Sequence, residues 1–277
     1  MIISHSHKFI FIHLHKTAGE SVSEALLPYL ASRDLVLGTG LRGELATAWY
    51  NSRYKLQKHS GARKVRKYVG DATWDDYLTF SFVRDPVDRA RSLYFYYEKM
   101  QALRRERSVR NALLWLPGMR FRDSDNWPGM QAFRESASFS EFIRHPKFSP
   151  SYIGTRRQAD SLCDGDGRLL VDVVGKFETL QEDFAAIAAR IGLPQATLGH
   201  RNASRNRTKA ADPVSPGDRA HLEAMYARDY QLFGYPTTSR PTPLQAAEMP
   251  APPQAAEMPA PPQAAEMPMR PASSASK

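Results

Sequence analysis

The sequence is poor in cysteine and in long apolar runs. Cys163 is the one cysteine among 277 residues, which excludes an intrachain disulfide and a cysteine-rich zinc site and fits a reducing compartment. The longest early apolar stretch, residues 9–14, is interrupted by His13. It is therefore too short for a membrane span and unlike the apolar core of a secretory leader. We expect a cytoplasmic protein without a membrane span.

Aromatic residues are missing from the last part of the chain. Residues 236–277 hold 11 of the 20 prolines and no aromatic residue, and they repeat the pattern QAAEMPAPP with a nine-residue period. Such a segment cannot bury the apolar surface that would offset the entropy of ordering it. The sequence therefore predicts one folded domain at 1–235 and a disordered tail of Pro/Ala/Gln/Glu/Met-rich repeats at 236–277.

Positive charge is in excess, because the formal net charge is +9. The tail contains as many acidic as basic residues, so the predicted folded domain carries the whole excess. A surplus of this kind indicates an anionic partner such as a phosphate compound, nucleic acid, acidic glycan or anionic lipid. Composition alone does not choose among these.

Apolar periodicity predicts strands that alternate with helices. Residues 8–14, 78–83 and 169–174 are short β-branched or aromatic runs, whereas residues 21–30, 86–100, 180–191 and 216–234 have helical spacing. Residues 100–150 are expected to form helices and loops over the site, and residues 201–213 a basic loop. Strands separated by helices indicate an α/β fold with a mainly parallel sheet.

The loop HKTAGES follows the first predicted strand and leads into a helix. Amide groups at a helix start attract anions; here Lys16 adds a charge, Thr17 and Ser21 add hydroxyls, and Gly19 allows a close approach of the backbone. A plain strand-to-helix connection explains the segment equally well. The loop is not a nucleotide-binding Walker A, because Lys16 precedes the only glycine and no acidic residue ends the second strand to hold magnesium.

Arg84 comes directly after the second strand, and Arg89, Arg91 and Ser92 follow it on the next predicted helix. Ligands of open α/β sheets bind at the carboxyl ends of the strands. Arg84 and Ser92 could therefore hold a second anionic group, through the guanidinium fork and the hydroxyl. For at least one of Arg89 and Arg91, a solvated helix face is the better interpretation.

Together these motifs resemble the carbohydrate-type sulfotransferases, a family with many bacterial members. FIHLHKTAGES (11–21) is similar to their 5′-phosphosulfate loop, and FSFVRDPVDRARSLY (80–94) to their 3′-phosphate motif. Further similarities lie in KHSGARKV (58–65), VDVVGKFETLQEDF (171–184), HRNAS (200–204) and YARDYQLFGY (226–235). The resemblance implies a P-loop-like three-layer fold in which helices flank the mainly parallel central sheet.

The resemblance also implies a reaction and a site. The donor would be 3′-phosphoadenosine 5′-phosphosulfate, and the acceptor a hydroxyl of a glycan or glycolipid, with no metal and no nucleic-acid partner. Lys16 would stabilise the leaving group and His59 would act as the general base. The residues implied to bind the donor are Lys16, Thr17, Ala18, Gly19, Glu20, Ser21, Arg84, Ser92, Arg201 and Arg205. A histidine on a basic helical surface is the alternative interpretation of His59.

Two residues of the first loop depart from the family pattern. His15 stands where proline is common, and Glu20 where threonine is common. A carboxylate beside a phosphosulfate is repulsive, so we expect Glu20 either to point away from the loop or to weaken donor binding.

Two rival functions also fit the residues: a P-loop-like ATP-dependent kinase, and a non-catalytic binder of an anionic polymer.

Overall fold

The centre of the fold is a five-stranded sheet with the order β3-β1-β2-β4-β5. A computed structural model of the chain describes residues 1–111, 126–199 and 214–238. The strands are β1 (Ile2–Ser4), β2 (Phe9–Ile12), β3 (Leu35–Val36), β4 (Leu78–Val83) and β5 (Val173–Lys176). The described residues belong to a compact unit, Met1–Arg240.

The centre of the sheet is parallel, and one edge of it is antiparallel. β2, β4 and β5 are parallel to one another, as predicted, whereas β1 pairs antiparallel with both β2 and β3. The difference arises because four residues join β1 to β2, and so short a connection can form only a hairpin. β5 also begins later than predicted: the Leu170 amide hydrogen-bonds the Leu162 carbonyl (2.9 Å), which keeps the start of the predicted strand outside the sheet.

The described ranges contain eleven α-helices. They are α1 (Gly19–Leu26), α2 (Gly40–Tyr54), α3 (Ala62–Val69), α4 (Asp71–Asp76), α5 (Pro86–Asn111), α6 (Pro128–Arg134), α7 (Phe139–Arg144), α8 (Gln158–Leu162), α9 (Leu180–Arg190), α10 (Pro216–Met225) and α11 (Ala227–Phe233). A 3₁₀ turn, Leu27–Tyr29, follows α1 where Pro28 cannot continue the helix. The single helix predicted over 216–234 is two helices, because Tyr226 leaves helical geometry between them.

Helices cover both faces of the sheet. On β2, Phe9 and Phe11 pack with α1 and α9 on one face, whereas Ile10 and Ile12 pack with α3, α4 and α8 on the other. This two-sided burial explains why β2 and β4 are nearly continuous apolar runs. Both strands end at the same edge of the sheet, since they are parallel, and the loops that follow them carry Lys16 and Arg84.

Candidate functional site

The loop between β2 and α1 has a backbone suited to anions. Lys16 (φ 65°) and Ala18 (φ 62°) both adopt the left-handed conformation, and alternation of this kind turns successive amides toward one concavity. The Thr17 hydroxyl donates to the Leu14 carbonyl (3.3 Å) and closes the loop from within. The first helical bond of α1 runs from Val22 N–H to the Ala18 carbonyl, so the amides before Val22 lie outside the helical ladder.

Gly19 is required by its neighbour His13 rather than by backbone strain. A Cβ at this position would lie well inside van der Waals contact with the His13 imidazole, and both residues are buried. From the sequence we expected Gly19 to allow a ligand to approach the backbone closely. The structure adds a packing role, because the first turn of α1 rests directly on the imidazole.

We expect Gly19→Ala to lower the free energy of unfolding by about 1–3 kcal/mol, the usual cost of overpacking a buried contact. Urea denaturation followed by circular dichroism measures the change. Gly217→Ala is the matched control, because Gly217 also lies in the first turn of a helix and its nearest neighbours are 4.0 Å from a new Cβ. Equal stability of the two variants would contradict the packing role.

Lys16 is a cation held without a carboxylate. Its Nζ lies over the Tyr96 ring, 4.3 Å from the ring centroid. Burial, and then the charges of Arg84 and Lys99, lower the pKa of Lys16 from 10.5 to about 8. Within the described part of the chain, no carboxylate oxygen lies within 4.0 Å of this ammonium. The loop therefore presents a desolvated positive charge, which favours an anionic ligand.

Arg84 is likewise held in place, and among the described residues its side chain has no ion-pair partner. Its guanidinium stacks on the Phe177 ring at 3.9 Å, and Gln158 clamps its backbone by accepting from the amide (2.9 Å) and donating to the carbonyl (2.8 Å). The Arg84 Nε is buried and has no hydrogen-bond partner among the described residues. Burial lowers the pKa of Arg84, and the nearby carboxylates of Asp88 and Glu178 offset part of that effect.

His59 lies in a cluster of three imidazoles. Its Nδ1 is 2.9 Å from the His13 carbonyl; since a carbonyl only accepts, Nδ1 carries the proton and Nε2 keeps a free lone pair. The His59 ring stacks on His15 (centroids 3.5 Å apart) and meets His13 edge to face (4.7 Å). Burial, and then His15, hold the pKa of His59 well below 6.5, so the ring is neutral at physiological pH.

The comparison with protein families identifies the family. Residues 1–236 match the model described as the sulfotransferase family. The chain belongs to this family. It is thus an enzyme that transfers sulfate.

The enzyme is similar to an archaeal protein over about half of its length. An uncharacterized protein from the archaeon Archaeoglobus fulgidus is 28% identical over 131 residues, which cover 47% of this chain and 81% of that protein. No solved structure matches the chain.

Several sequence-predicted residues of the enzyme gather near these two strand ends. Lys16, Thr17, Ala18, Gly19, Glu20 and Ser21 all lie in the β2–α1 loop and the first turn of α1. Ser92 lies half-buried on α5, eight residues after Arg84. Arg201 and Arg205 lie outside the described residues.

Glu20 does not lie free beside the loop. Its carboxylate forms an ion pair with the ammonium of Lys58, and Lys58 directly precedes His59. The pair neutralises the charge that would repel a phosphosulfate, and it ties α1 to the loop between α2 and α3. Lys58 had no assigned role in the sequence analysis, because the partners are 38 positions apart in the sequence and no local pattern indicates the contact.

The sequence analysis named Arg89 without assigning it a role, and the structure shows that Arg89 is not on a solvated helix face. Its side chain is only 4% exposed, donates to the Arg156 carbonyl (2.8 Å) and lies over the Tyr226 ring. Together with His15, His59 and Arg156 it lines a small cavity of about 10 Å³. The periodicity contained the signal, because Arg89 is one helical turn before the buried Leu93 and next to the buried Ala90.

The described ranges contain no group of three or more His, Cys, Asp or Glu side chains arranged to hold a metal ion. Among the helices of these ranges, none has both the length and the apolar character needed to cross a bilayer.

Proposed function

We propose that the enzyme takes sulfate from 3′-phosphoadenosine 5′-phosphosulfate and transfers it to a hydroxyl of a glycan or glycolipid. One observation carries this proposal: two half-buried cations, Lys16 and Arg84, follow neighbouring parallel strands in a P-loop-like arrangement and have no ion-pair partner among the described residues. A donor with phosphate at both its 5′ and 3′ positions suits two separate cationic sites.

The residues present fit this donor. The β2–α1 loop, residues 16–21, binds the 5′-phosphosulfate through its amides, the Lys16 ammonium and the hydroxyls of Thr17 and Ser21. Arg84 and Ser92 bind the 3′-phosphate. The orphaned Arg84 Nε supports this assignment, because a buried donor without a partner is costly unless a ligand satisfies it. Arg201 and Arg205 stay assigned to the donor on sequence grounds.

The donor supplies an activated sulfuryl group, and the chain supplies charge and a proton acceptor. Lys16 stabilises the negative charge that develops on the leaving phosphate. His59 accepts the proton of the acceptor hydroxyl at Nε2, since its Nδ1 is committed to His13. The neutral imidazole suits this task, because a protonated ring could accept nothing.

The acceptor side is basic. Beyond the cavity at His59, a cleft of about 590 Å³ is lined by Arg63, Arg156 and Arg157. Its one carboxylate, Asp160, pairs with Arg157 and Arg228. A hydroxyl-rich acceptor with acidic groups suits such a cleft, which favours a glycan or glycolipid over a neutral small molecule.

Donor binding tests the proposal. Isothermal titration with adenosine 3′,5′-bisphosphate in the presence of a chelator should give tight binding, whereas ATP should bind weakly with or without magnesium. Transfer of labelled sulfate to a panel of glycans and glycolipids, read by mass spectrometry, tests the acceptor class. Tight magnesium-dependent binding of ATP would favour a kinase, and bisphosphate binding without any transfer would favour a non-catalytic binder.

We expect Arg84→Ala to weaken adenosine 3′,5′-bisphosphate by about tenfold or more, the scale of one charge-assisted hydrogen bond. Adenosine 5′-phosphosulfate, which lacks the 3′-phosphate, should bind nearly as before. Arg190→Ala is the control, because Arg190 is exposed at the last residue of α9. Equal weakening of both nucleotides would show that Arg84 acts through the fold.

We also propose a cytoplasmic location, supported by the single cysteine, and a tail at 236–277 that the folded domain does not need. Truncation after Thr238 should leave the melting temperature and bisphosphate binding unchanged, because the removed residues contain no aromatic side chain to bury. Differential scanning calorimetry measures the first and titration the second. A fall of several degrees would show that the repeats pack on the domain.

A further inference from the structure

Most of the positive charge lies in one short part of the chain. Residues 40–69, which form α2, the His59 loop and α3, contain eight lysine and arginine residues and one glutamate. The net charge of this segment is therefore +7, compared with +9 for the whole chain. Arg66 pairs with Asp71, and Lys58 pairs with Glu20. Arg53, Lys64 and Lys67 are exposed and have no ion pair among the described residues.

The outward face of α2 is apolar where a surface helix is normally polar. Leu45 is 67% exposed and Trp49, one turn later, is 57% exposed. Tyr54 is also exposed, and its ring contacts those of Trp49 (5.7 Å) and of Tyr68 on α3 (5.1 Å). Ala46 and Tyr50, which follow Leu45 and Trp49 in the sequence, pack on the core. Leu45 and Trp49 themselves thus expose apolar surface that the described core leaves uncovered.

The cations adjoin these aromatic side chains on the same helices. Arg53 is one turn after Trp49 on α2, and Lys64 is one turn before Tyr68 on α3. We call the set Leu45, Trp49, Arg53, Tyr54, Lys64 and Lys67 the α2–α3 surface. Indole and phenol rings beside lysine and arginine are the composition that proteins use at the interface between lipid headgroups and acyl chains.

We propose that the α2–α3 surface docks on a lipid bilayer that contains anionic lipid. The charge favours a negatively charged partner. The adjacent exposed leucine and tryptophan distinguish a bilayer from an acidic polymer, because only the bilayer offers an apolar layer that would bury them. The cluster is too small and too strongly charged to pair with a second copy of itself, since like charges would meet across the two-fold axis.

Docking would bring the membrane to the reaction site. The loop that carries His59 joins α2 to α3, and Tyr54 precedes His59 by only five residues. Resting on the proposed function, this placement narrows the acceptor to a lipid-linked one, whose hydroxyl lies in the headgroup layer. The enzyme would then need no membrane span to meet its substrate.

Vesicle co-sedimentation tests the docking surface. The full chain is mixed with vesicles of phosphatidylcholine alone or with 30% phosphatidylglycerol, without donor or acceptor, so failure of the proposed chemistry does not affect the result. We expect binding to the anionic vesicles, weakened by salt. Lys64→Gln with Lys67→Gln should lower the partition coefficient about tenfold or more, on the scale of ~1 kcal/mol per basic residue.

The apolar contribution needs its own variants. Trp49→Ser should weaken vesicle binding about tenfold or more, whereas Trp49→Phe should retain most of it. The matched controls are Trp127→Ser and Arg190→Gln, which alter an exposed tryptophan and an exposed cation elsewhere. A circular dichroism spectrum and a melting temperature equal to those of the wild type verify that each variant is folded.

Three results would overturn the proposal. The first is no binding to anionic vesicles, and the second is vesicle binding that Trp49→Ser leaves unchanged. The third is a protein that does not bind vesicles but forms a dimer in analytical ultracentrifugation, when Trp49→Ser abolishes that dimer. Binding to dextran sulfate that depends on Lys64 and Lys67 but not on Trp49, without vesicle binding, would also overturn it in favour of an acidic polymer.

Discussion

Replacing His59 with alanine should lower turnover by about 10²–10⁴-fold, the range for loss of a positioned proton acceptor, and should leave binding of adenosine 3′,5′-bisphosphate nearly unchanged. The binding is spared because His59 belongs to the cavity on the acceptor side, whereas the proposed donor contacts come from residues 16–21 and Arg84. Single-turnover kinetics measures the first quantity and titration the second.

The control for this variant is His221→Ala. His221 is half-buried and its Nε2 contacts a backbone carbonyl, that of Ile143 (3.2 Å), so it resembles His59 in burial and bonding but lies on α10. Wild-type turnover in His59→Ala would show that another group is the general base. His15, which lines the same cavity, is then the first to test.

The pH profile should carry the signature of the imidazole. Burial lowers the pKa of His59 well below 6.5, so the acidic limb of the rate should lie well below that pH in the wild type. The same limb should vanish in His59→Ala. A limb that persists unchanged in the variant would belong to another group.

Stability must be measured along the same pH range. Burial lowers the pKa of His13 and of His59 well below 6.5, and lowers that of His15 to about 3. Above pH 6.5 these imidazoles are neutral in both the folded and the unfolded chain, so they do not affect stability. Below pH 6.5 these imidazoles take up protons in the unfolded chain but not in the folded one, so the free energy of unfolding decreases as the pH is lowered. Urea denaturation at each pH separates this loss from the catalytic limb.

Replacing Lys16 with alanine should lower turnover by about 10²–10³-fold, the scale for one transition-state charge donor, and should weaken the bisphosphate much less. The reason is that the leaving phosphate gains charge only as the sulfuryl group departs. The Lys16 ammonium lies over the Tyr96 ring and has no carboxylate partner among the described residues, so it is partly desolvated. Desolvation strengthens its interaction with the charge on the leaving phosphate.

Lys8→Ala is a close control for Lys16→Ala. Both lysines have a left-handed backbone, with φ of 49° and 65°, so alanine adds the same backbone demand at each position. Lys8 lies at the opposite end of β2 and pairs with Asp76 (3.0 Å). Near-wild-type turnover in Lys16→Ala would show that Lys16 does not stabilise the transition state. Equal losses in turnover and in bisphosphate binding would show the same.

Much of the fold could be predicted from local patterns. The strand at Leu78–Val83 lies where the apolar run places it, because a buried parallel strand is apolar on both faces. α9 covers Leu180–Arg190 as its periodicity predicts. Ser215 accepts from the Asp218 amide, which is the capping bond expected at the start of α10. In each case neighbouring residues contain the whole signal.

The rest depends on contacts between distant parts of the chain. β1 and β3 have only three and two residues, and they exist as strands because β2 pairs with β1 and β1 in turn pairs with β3. The imidazole cluster joins His13 and His15 to His59 across more than forty residues, which no local pattern indicates. The Glu20–Lys58 ion pair is hidden in the same way.

The contacts that hold Arg84 in place come from parts of the chain that are synthesised after it. Gln158 holds the Arg84 backbone from 74 residues away, and Asp229 in turn accepts from the amides of Gln158 (2.9 Å) and Ala159 (2.9 Å) from α11. Tyr235 donates to Glu178, whose carboxylate accepts from the Asp85 amide. A nascent chain therefore cannot complete the arginine site until α11 has left the ribosome. The enzyme becomes competent only after the residues of α11 and Tyr235 have been synthesised.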